Sequence, residues 1–155
     1  MSTVDDLRLD LDKDELDYPA LAAQYGAAAI PDLGALVAEG EPRIASKAAY
    51  LAGLIAGPGS HEVVALAAQG PNEVVRVSAA SALAILPTDQ VAQASAIAEL
   101  LLDDTDIGVR ARAAKSAVSL NTPALSNRLL AMASNDPEPA MRELAGGLAK
   151  DLGIA

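Results

Sequence analysis

The stretch EVVRVSAASALAIL, residues 73–86, decides the fold. Val75, Ala79 and Leu86 fall on one face of a helix by their 3.6-residue spacing, and most of the remaining positions are also apolar. A helix that is apolar on most sides is packed on most sides, and paired alanines let neighbouring backbones come close. The stretch therefore predicts a helix buried among other helices, with one arginine, Arg76, near its start.

The same pattern occurs four times along the chain. The other copies are PRIASKAAYLAGLI (42–55), IGVRARAAKSAVSL (107–120) and PAMRELAGGLAKDL (139–152). Each copy is centred on an alanine pair, or on Ala-Gly in the last, and the pairs begin at near-constant intervals, at Ala48, Ala79, Ala113 and Ala145. Self-similarity at a period of this length indicates supersecondary units that stack on their neighbours.

Between the copies lie segments that are predicted to form second helices. Their predicted bounds are 29–40, 60–70, 89–103 and 123–135, and an earlier helix is predicted at 17–25. The chain has 35 Ala and 22 Leu but no Phe, Trp or Cys, and Ala and Leu are strong helix formers. We therefore predict an all-α fold of about nine helices arranged in antiparallel pairs.

The motif shared by the copies, an acidic residue or proline followed by V-R-x-x-A-A-x-A-L-x-x-L, resembles HEAT repeats in the short bacterial form called HEAT-like or phycobilisome-lyase-type. The resemblance covers residues 26–152 and implies a right-handed α-solenoid of about four to five helix pairs. It also implies an Asp/Arg ladder between adjacent repeats, in which arginines pair with acidic residues of the turns or cap loop carbonyls. The residues that would form this ladder are Arg76, Arg110, Arg142, Asp104, Asp106 and Asp136.

The segment 1–16 is predicted to be an acidic N-terminal segment, and 17–155 to be the single solenoid domain. Leu7, Leu9 and Leu11 alternate with charged residues, which is the periodicity of a strand. Two interpretations follow. The segment is either a flexible acidic tail, or an extended arm that docks its leucines on the first repeat or on a neighbouring chain. The second interpretation predicts self-association through this segment.

The charge of the chain excludes some classes of partner. The net charge is −10, and residues 1–17 alone carry −5. An acidic chain is repelled by phosphate backbones, so we expect neither nucleic acid nor a membrane as a partner. The chain has no cysteine and no apolar run of membrane-spanning length. These features predict a cytoplasmic protein without disulfides.

The sequence shows no set of residues that indicates catalysis or metal binding. His61 is the only histidine, and its neighbour Glu62 points in a different direction on a helix. Asp10, Asp12 and Asp14 resemble the start of a calcium loop, but that loop requires Gly at its sixth position and Glu at its twelfth, and this chain has neither there. We therefore expect no cofactor, no metal site and no enzymatic activity.

The resemblance implies that the second helix of each pair lines a concave face, and we place the predicted groove on the segments between the copies. The polar residues of this groove are predicted to be Asp32, Glu39, His61, Glu62, Gln69, Gln90, Gln93, Glu99, Asn127 and Arg128. An acidic groove attracts basic partners and speeds their capture.

Three functions are compatible with these features. The first is a non-catalytic scaffold or adaptor that binds a basic protein or peptide on its concave face. The second is an immunity or antitoxin-like protein that neutralises a basic toxin. The third is an enzyme or lyase subunit of the HEAT-like class, whose phycobilin-attaching members handle large chromophores. From the sequence the first is preferred, because no catalytic constellation is found.

Overall fold

A computed structural model describes residues 3–155, and within that range the chain consists of ten α-helices and three single 3₁₀ turns. The helices are α1 (Thr3–Leu11), α2 (Tyr18–Tyr25), α3 (Ile30–Glu39), α4 (Pro42–Ile55), α5 (Ser60–Ala68), α6 (Glu73–Ala82), α7 (Val91–Leu102), α8 (Ile107–Leu120), α9 (Pro123–Asn135) and α10 (Pro139–Asp151). The 3₁₀ turns are Ala27–Ala29, Leu83–Ile85 and Thr88–Gln90.

Local capping chemistry determines where many of these helices begin. The side chains of Asn72, Asp106 and Thr122 accept hydrogen bonds from the first backbone amides of α6, α8 and α9, which satisfies donors that have no partner inside the helix. Proline occupies the first turn of five helices, where its missing amide costs nothing. The bounds predicted for α4, α8 and α9 agree with the structure.

The helices form two layers. In one layer α3, α5, α7 and α9 follow one another, and in the other α4, α6, α8 and α10 do so; α1 packs on α3, and α2 packs on α4. Ala48, Ala79, Ala113 and Ala145 are fully buried between them. The predicted all-α solenoid of antiparallel helix pairs is confirmed.

The two layers differ in how closely their helices approach. Contacts between successive helices are more extensive in the layer of α4, α6, α8 and α10. A Cβ atom on Gly53 of α4 would lie 3.0 Å from the Cβ of Ala82 in α6. We call the layer of α4, α6, α8 and α10 the inner layer, and the layer of α3, α5, α7 and α9 the outer layer. The predicted groove residues all belong to the outer layer or its turns, and their placement on the concave side stays a prediction.

An arginine ladder joins successive repeats along the turns. Arg76 donates to both carboxylate oxygens of Asp104, at 2.8 and 3.2 Å, and to the carbonyl of Gly70 at 3.0 Å. Arg110 repeats this arrangement with Asp136, at 3.1 and 3.2 Å, and with the carbonyl of Asp104 at 2.9 Å. Each arginine therefore caps its own turn and holds the turn of the next repeat.

The ladder has two ends. Arg142 donates to the carbonyl of Asp136 at 2.7 Å, but it has no carboxylate partner among residues 3–155. At the other end Ala45 stands in the arginine's position in α4 and is fully buried. Asp106 pairs with no arginine of the described chain; its carboxylate caps α8 through the amide of Val109 at 3.0 Å.

The N-terminal segment is neither a flexible tail nor an extended arm. It forms α1, in which Leu7 and Leu11 are one helical turn apart and fully buried, whereas Leu9 on the opposite side is 55% exposed. Arg8 pairs with Glu39 of α3. The alternation of leucine with charge predicted a strand, but the spacing from Leu7 to Leu11 also fits a helix, and packing on α3 and α4 favours the helix. The domain boundary after residue 16 stays a prediction.

Among the described residues no single helix is long and apolar enough to cross a membrane. One bent pair, Tyr18–Tyr25 with Ala27–Glu39, reaches the necessary length and composition only when its two parts are taken together.

Candidate functional site

The buried amide of Gln90 joins two repeats on the outer layer. Its Nε2 donates to the carbonyl of Gly57 at 2.9 Å, and its Oε1 accepts from the backbone amide of His61 at 2.9 Å. The same oxygen lies 3.0 Å from His61 Nδ1, which therefore carries the proton in this arrangement. These two residues hold the turn before α5 in place, so Gln90 is not available to a partner.

Three more of the predicted groove residues are engaged within the chain. Glu39 pairs with Arg8, Arg128 pairs with Asp103, and Gln69 donates from Nε2 to the carbonyl of Ala65 at 3.3 Å. The remaining predicted residues are exposed or half-buried on four successive outer helices or their ends, namely Asp32, Glu62, Gln93, Glu99 and Asn127. The structure does not bring them together into one site.

The inner layer carries a groove that sequence reasoning did not find. It has a volume of about 390 Å³ and lies across α2, α4 and α6. We call it the tyrosine groove, and its lining residues are Tyr18, Ser46, Lys47, Tyr50, Val74, Val77, Ser78 and Ser81. The rings of Tyr18 and Tyr50 meet edge to face, with centroids 4.9 Å apart, a favourable geometry for aromatic pairs.

The polar groups of the tyrosine groove are donors. Burial raises the pKa of the Tyr18 phenol above its ordinary value, and the neighbouring Tyr50 adds to this effect. Tyr18 is therefore a neutral O–H donor at neutral pH. Lys47 donates from Nζ to the carbonyls of Leu11 and Lys13, both at 2.9 Å. Because an ammonium group has three donors, one N–H of Lys47 is left for a ligand.

The serines of the groove are not activated nucleophiles. Ser78 donates its hydroxyl hydrogen to the carbonyl of Ser46, and Ser81 donates to the carbonyl of Val77 at 3.2 Å. No carboxylate or histidine of the described chain lines the groove, so none could act as a base there. The arrangement is suited to holding an apolar or aromatic group that bears an acid, and the Tyr18 hydroxyl can donate a hydrogen bond to that group.

A second cleft lies where the turn after α7 meets α9. Its volume is about 600 Å³, and Arg110 and Arg128 contribute to its walls. Both guanidinium groups are already paired, with Asp136 and Asp103 respectively. This cleft is larger than the tyrosine groove. Because its guanidinium groups are already paired within the chain, it has fewer free groups that could bind a ligand.

Sequence reasoning missed Tyr18 and Tyr50. Tyr18 is the first residue of α2, whereas Tyr50 lies in the middle of α4, so the two occupy different positions in their repeats and the repeat pattern does not pair them. Only the packing of α2 on α4 brings the two rings together.

Comparison with known proteins gives one informative result. No family model matches the sequence, and no curated protein matches it. Among solved structures, the chain is similar to a chain of the complex of CpcE and CpcF of phycocyanin lyase from Nostoc sp. PCC7120, with a TM-score of 0.74 and 22% identity over 94% of this chain and 96% of that chain. This chain has the HEAT-like repeat fold. The resemblance to the phycobilisome-lyase type is thereby confirmed for the fold.

The HEAT-like neighbour also corrects two predictions about function. From the sequence we expected a non-catalytic scaffold or adaptor, and we expected that the chain is not an enzyme. Both predictions are contradicted, because the similar complex is a phycocyanin lyase. The missing catalytic triad had weighed against an enzyme, yet a bond can be made or broken without a nucleophilic serine. Of the functions considered from the sequence, the enzyme or lyase subunit fits this finding better.

Proposed function

We propose that this chain is a lyase subunit of the HEAT-like class that acts together with a second protein chain. The observation that carries the proposal is the similarity to the phycocyanin lyase complex, which extends over nearly the full length of both chains. That complex contains two different proteins, CpcE and CpcF. A protein partner for this chain follows from the same similarity.

The tyrosine groove is the proposed position of the substrate. It combines two aromatic rings with aliphatic walls from Val74 and Val77 and one available N–H of Lys47. In a chain of net charge −10, this groove has a cation and no acid in its described lining. A large conjugated chromophore with acidic side groups would pack on the rings and place an acid near Lys47.

Chromophore transfer to phycocyanin tests this proposal. The purified chain would be mixed with CpcE or with CpcF, together with the phycocyanin apoprotein and free phycobilin, and covalently bound chromophore would be measured by absorbance after denaturation. We expect the chain to bind phycobilin and to support attachment with one of the two subunits. Neither binding nor attachment in any combination would contradict the proposal.

Variants of the three tyrosines test whether the chromophore binds in the groove and not elsewhere on the protein. Tyr50→Ala removes a ring and a hydroxyl from the groove, so we expect it to raise the KM for the chromophore. Tyr18→Phe keeps the ring and removes the proton donor, so a role in proton transfer would lower kcat instead. Tyr25→Phe is the matched control, because Tyr25 lies outside the groove and bonds to Asp10.

Other expectations from the sequence stay predictions. They concern a basic partner, a cytoplasmic location, the absence of nucleic acid and membrane partners, and self-association.

A further inference from the structure

The last helix of the described chain, α10, carries a ladder arginine without a carboxylate partner. Arg76 and Arg110 each hold an aspartate of the following repeat through Nε and Nη2. Arg142 occupies the equivalent position in α10 and uses only Nη1, on the carbonyl of Asp136. Its other donors have no protein partner among the described residues. The half of the guanidinium that would bind the next repeat is therefore unoccupied.

An exposed leucine lies at the same end. Equivalent positions in α5, α7 and α9 are occupied by Val64, Ala98 and Leu130. The interval from Val64 to Ala98 equals that from Ala79 to Ala113, and the interval from Ala98 to Leu130 equals that from Ala113 to Ala145. Val64 and Ala98 are fully buried, whereas Leu130 is 38% exposed. A surface of this kind normally has a polar cap. Leu130 instead continues the apolar pattern of the internal junctions.

The N-terminal end presents the complementary groups. In both ladder pairs the aspartate lies two residues before the cap of the next inner-layer helix: Asp104 before Asp106, and Asp136 before Glu138. Glu15 lies two residues before Asp17, the cap of α2. Glu15 is exposed and has no hydrogen bond or ion pair within the described part of the chain.

The N-terminal end also has an exposed leucine. Leu7 and Leu11 of α1 are fully buried against the solenoid, whereas Leu9 is 55% exposed. Arg142 is a cation without a carboxylate partner, and Glu15 is an anion without a cationic partner, among the described residues. Each end of the described chain therefore carries one exposed leucine and one unpaired charged side chain, and these two charges are opposite.

We propose that a second copy of this chain stacks its N-terminal end on the C-terminal end of the first, with Glu15 of one copy held by Arg142 of the other and Leu9 packed near Leu130. The contact repeats the register of the ladder between molecules. It joins two different surfaces, so it is heterologous and continues into open chains of copies. This association is independent of the proposed lyase activity.

Sedimentation velocity of the full-length protein over a range of concentrations tests the proposal. At about 0.1 M ionic strength, where the repulsion between two chains of net charge −10 is partly screened, the wild type shows an average mass that rises with concentration and passes beyond the dimer. Arg142→Glu and Glu15→Arg each weaken the association by about tenfold or more, because a charge-assisted pair is lost and like charges meet. Combining the two changes in one chain restores the association.

Control variants distinguish the loss of this contact from unfolding and from nonspecific hydrophobic association. Leu130→Ser weakens association, but Leu100→Ser does not, because Leu100 is 53% exposed on the outer layer away from either end. If Arg142→Glu unfolds the last repeat, Arg142→Lys keeps the charge and the cap on Asp136 but loses the two-pronged contact. A wild type that stays monomeric, an assembly that stops at the dimer, or a combined variant that associates no better than the single ones would overturn the proposal.

Discussion

Arg110 and Asp136 lie in different repeats and form a two-pronged ion pair in which both side chains are almost completely buried, 9% and 4% exposed. The pair links the first turn of α8 to the turn before α10. Arg110 also donates to the carbonyls of Asp104 and Thr105. One side chain therefore organises two successive turns, and its planar group is well suited to several directed hydrogen bonds.

Replacing Arg110 by Ala tests how much this ion pair contributes to the free energy of unfolding. Removing one member of a buried pair leaves the other charge without compensation, so we expect the free energy of unfolding to fall by about 3 to 5 kcal/mol. Urea denaturation followed by circular dichroism measures the loss. Arg43→Ala is the control, because Arg43 pairs with Asp12 and Asp14 on the open surface and such pairs contribute at most about 1 kcal/mol. Equal losses in the two variants would contradict this account of the ladder.

The ladder also predicts a dependence of stability on acid pH. Burial alone would raise the pKa of Asp104, but hydrogen bonds from Arg76 and from the amide of Asp106 outweigh it, and the pKa falls below the ordinary value of 3.8. A carboxyl with a lowered pKa in the folded state stabilises the fold above its unfolded pKa, and this contribution is lost as the pH falls through the folded pKa. We expect melting temperatures to drop below about pH 4.

Asp104→Asn should reduce this dependence, because an amide does not titrate. Its melting temperature should be lower than that of the wild type at pH 7 and should change less between pH 4 and strong acid. Asp89→Asn, at an exposed position, serves as the control and should follow the wild type. If the melting temperature of Asp104→Asn changes with pH in parallel with that of the wild type, the Asp104 carboxyl does not cause the loss of stability in acid.

Gln90 should be structural and not a ligand contact. Gln90→Ala leaves the carbonyl of Gly57 and the amide of His61 without their partner, so we expect a loss of about 1 to 3 kcal/mol of unfolding free energy. Gln93→Ala, at an exposed position of the same segment, should change stability by no more than about 0.5 kcal/mol. Chemical denaturation compares the two, and a neutral Gln90→Ala would reopen the assignment of Gln90 to a binding surface.

Two helical glycines should respond in opposite directions to the same substitution. Gly147→Ala meets no atom within 4 Å, so the better helix propensity of alanine should stabilise the protein by up to about 1 kcal/mol. Gly53→Ala would bring a Cβ within 3.0 Å of the Ala82 side chain and 3.3 Å of its carbonyl oxygen. The resulting overpacking should cost about 1 to 2 kcal/mol beyond the propensity gain. Thermal unfolding of both variants decides whether the inner layer is as tight as the structure shows.

The repeat period and the caps were enough to predict most of the fold. Proline and Asp or Thr caps mark the starts of α4, α8 and α9 in the sequence itself, and the Ala pairs mark the buried face. α1 was not predictable in the same way, because Leu9 adds an exposed leucine between two buried ones. Only its packing on α3 and α4 shows which leucines face the core.

The candidate site was much less predictable than the fold. The polar residues of the outer layer were chosen because they were polar, but several of them bond within the chain, as Gln90 and Arg128 do. How closely two helices approach depends on small residues such as Gly53, which meets Ala82, and the repeat pattern alone does not specify this. The tyrosine groove arises from this packing and from the pairing of two rings distant in sequence.

The scarcity of aromatic residues in this chain has a practical consequence. With no tryptophan and three tyrosines, its ultraviolet emission comes from very few fluorophores, and two of them, Tyr18 and Tyr50, stand in the groove. A chromophore seated against these rings would quench them by resonance energy transfer. The fluorescence of Tyr18 and Tyr50 in the native protein therefore reports whether the groove is occupied. The replacement of Tyr25 by Phe would remove the emission of the tyrosine that lies outside the groove.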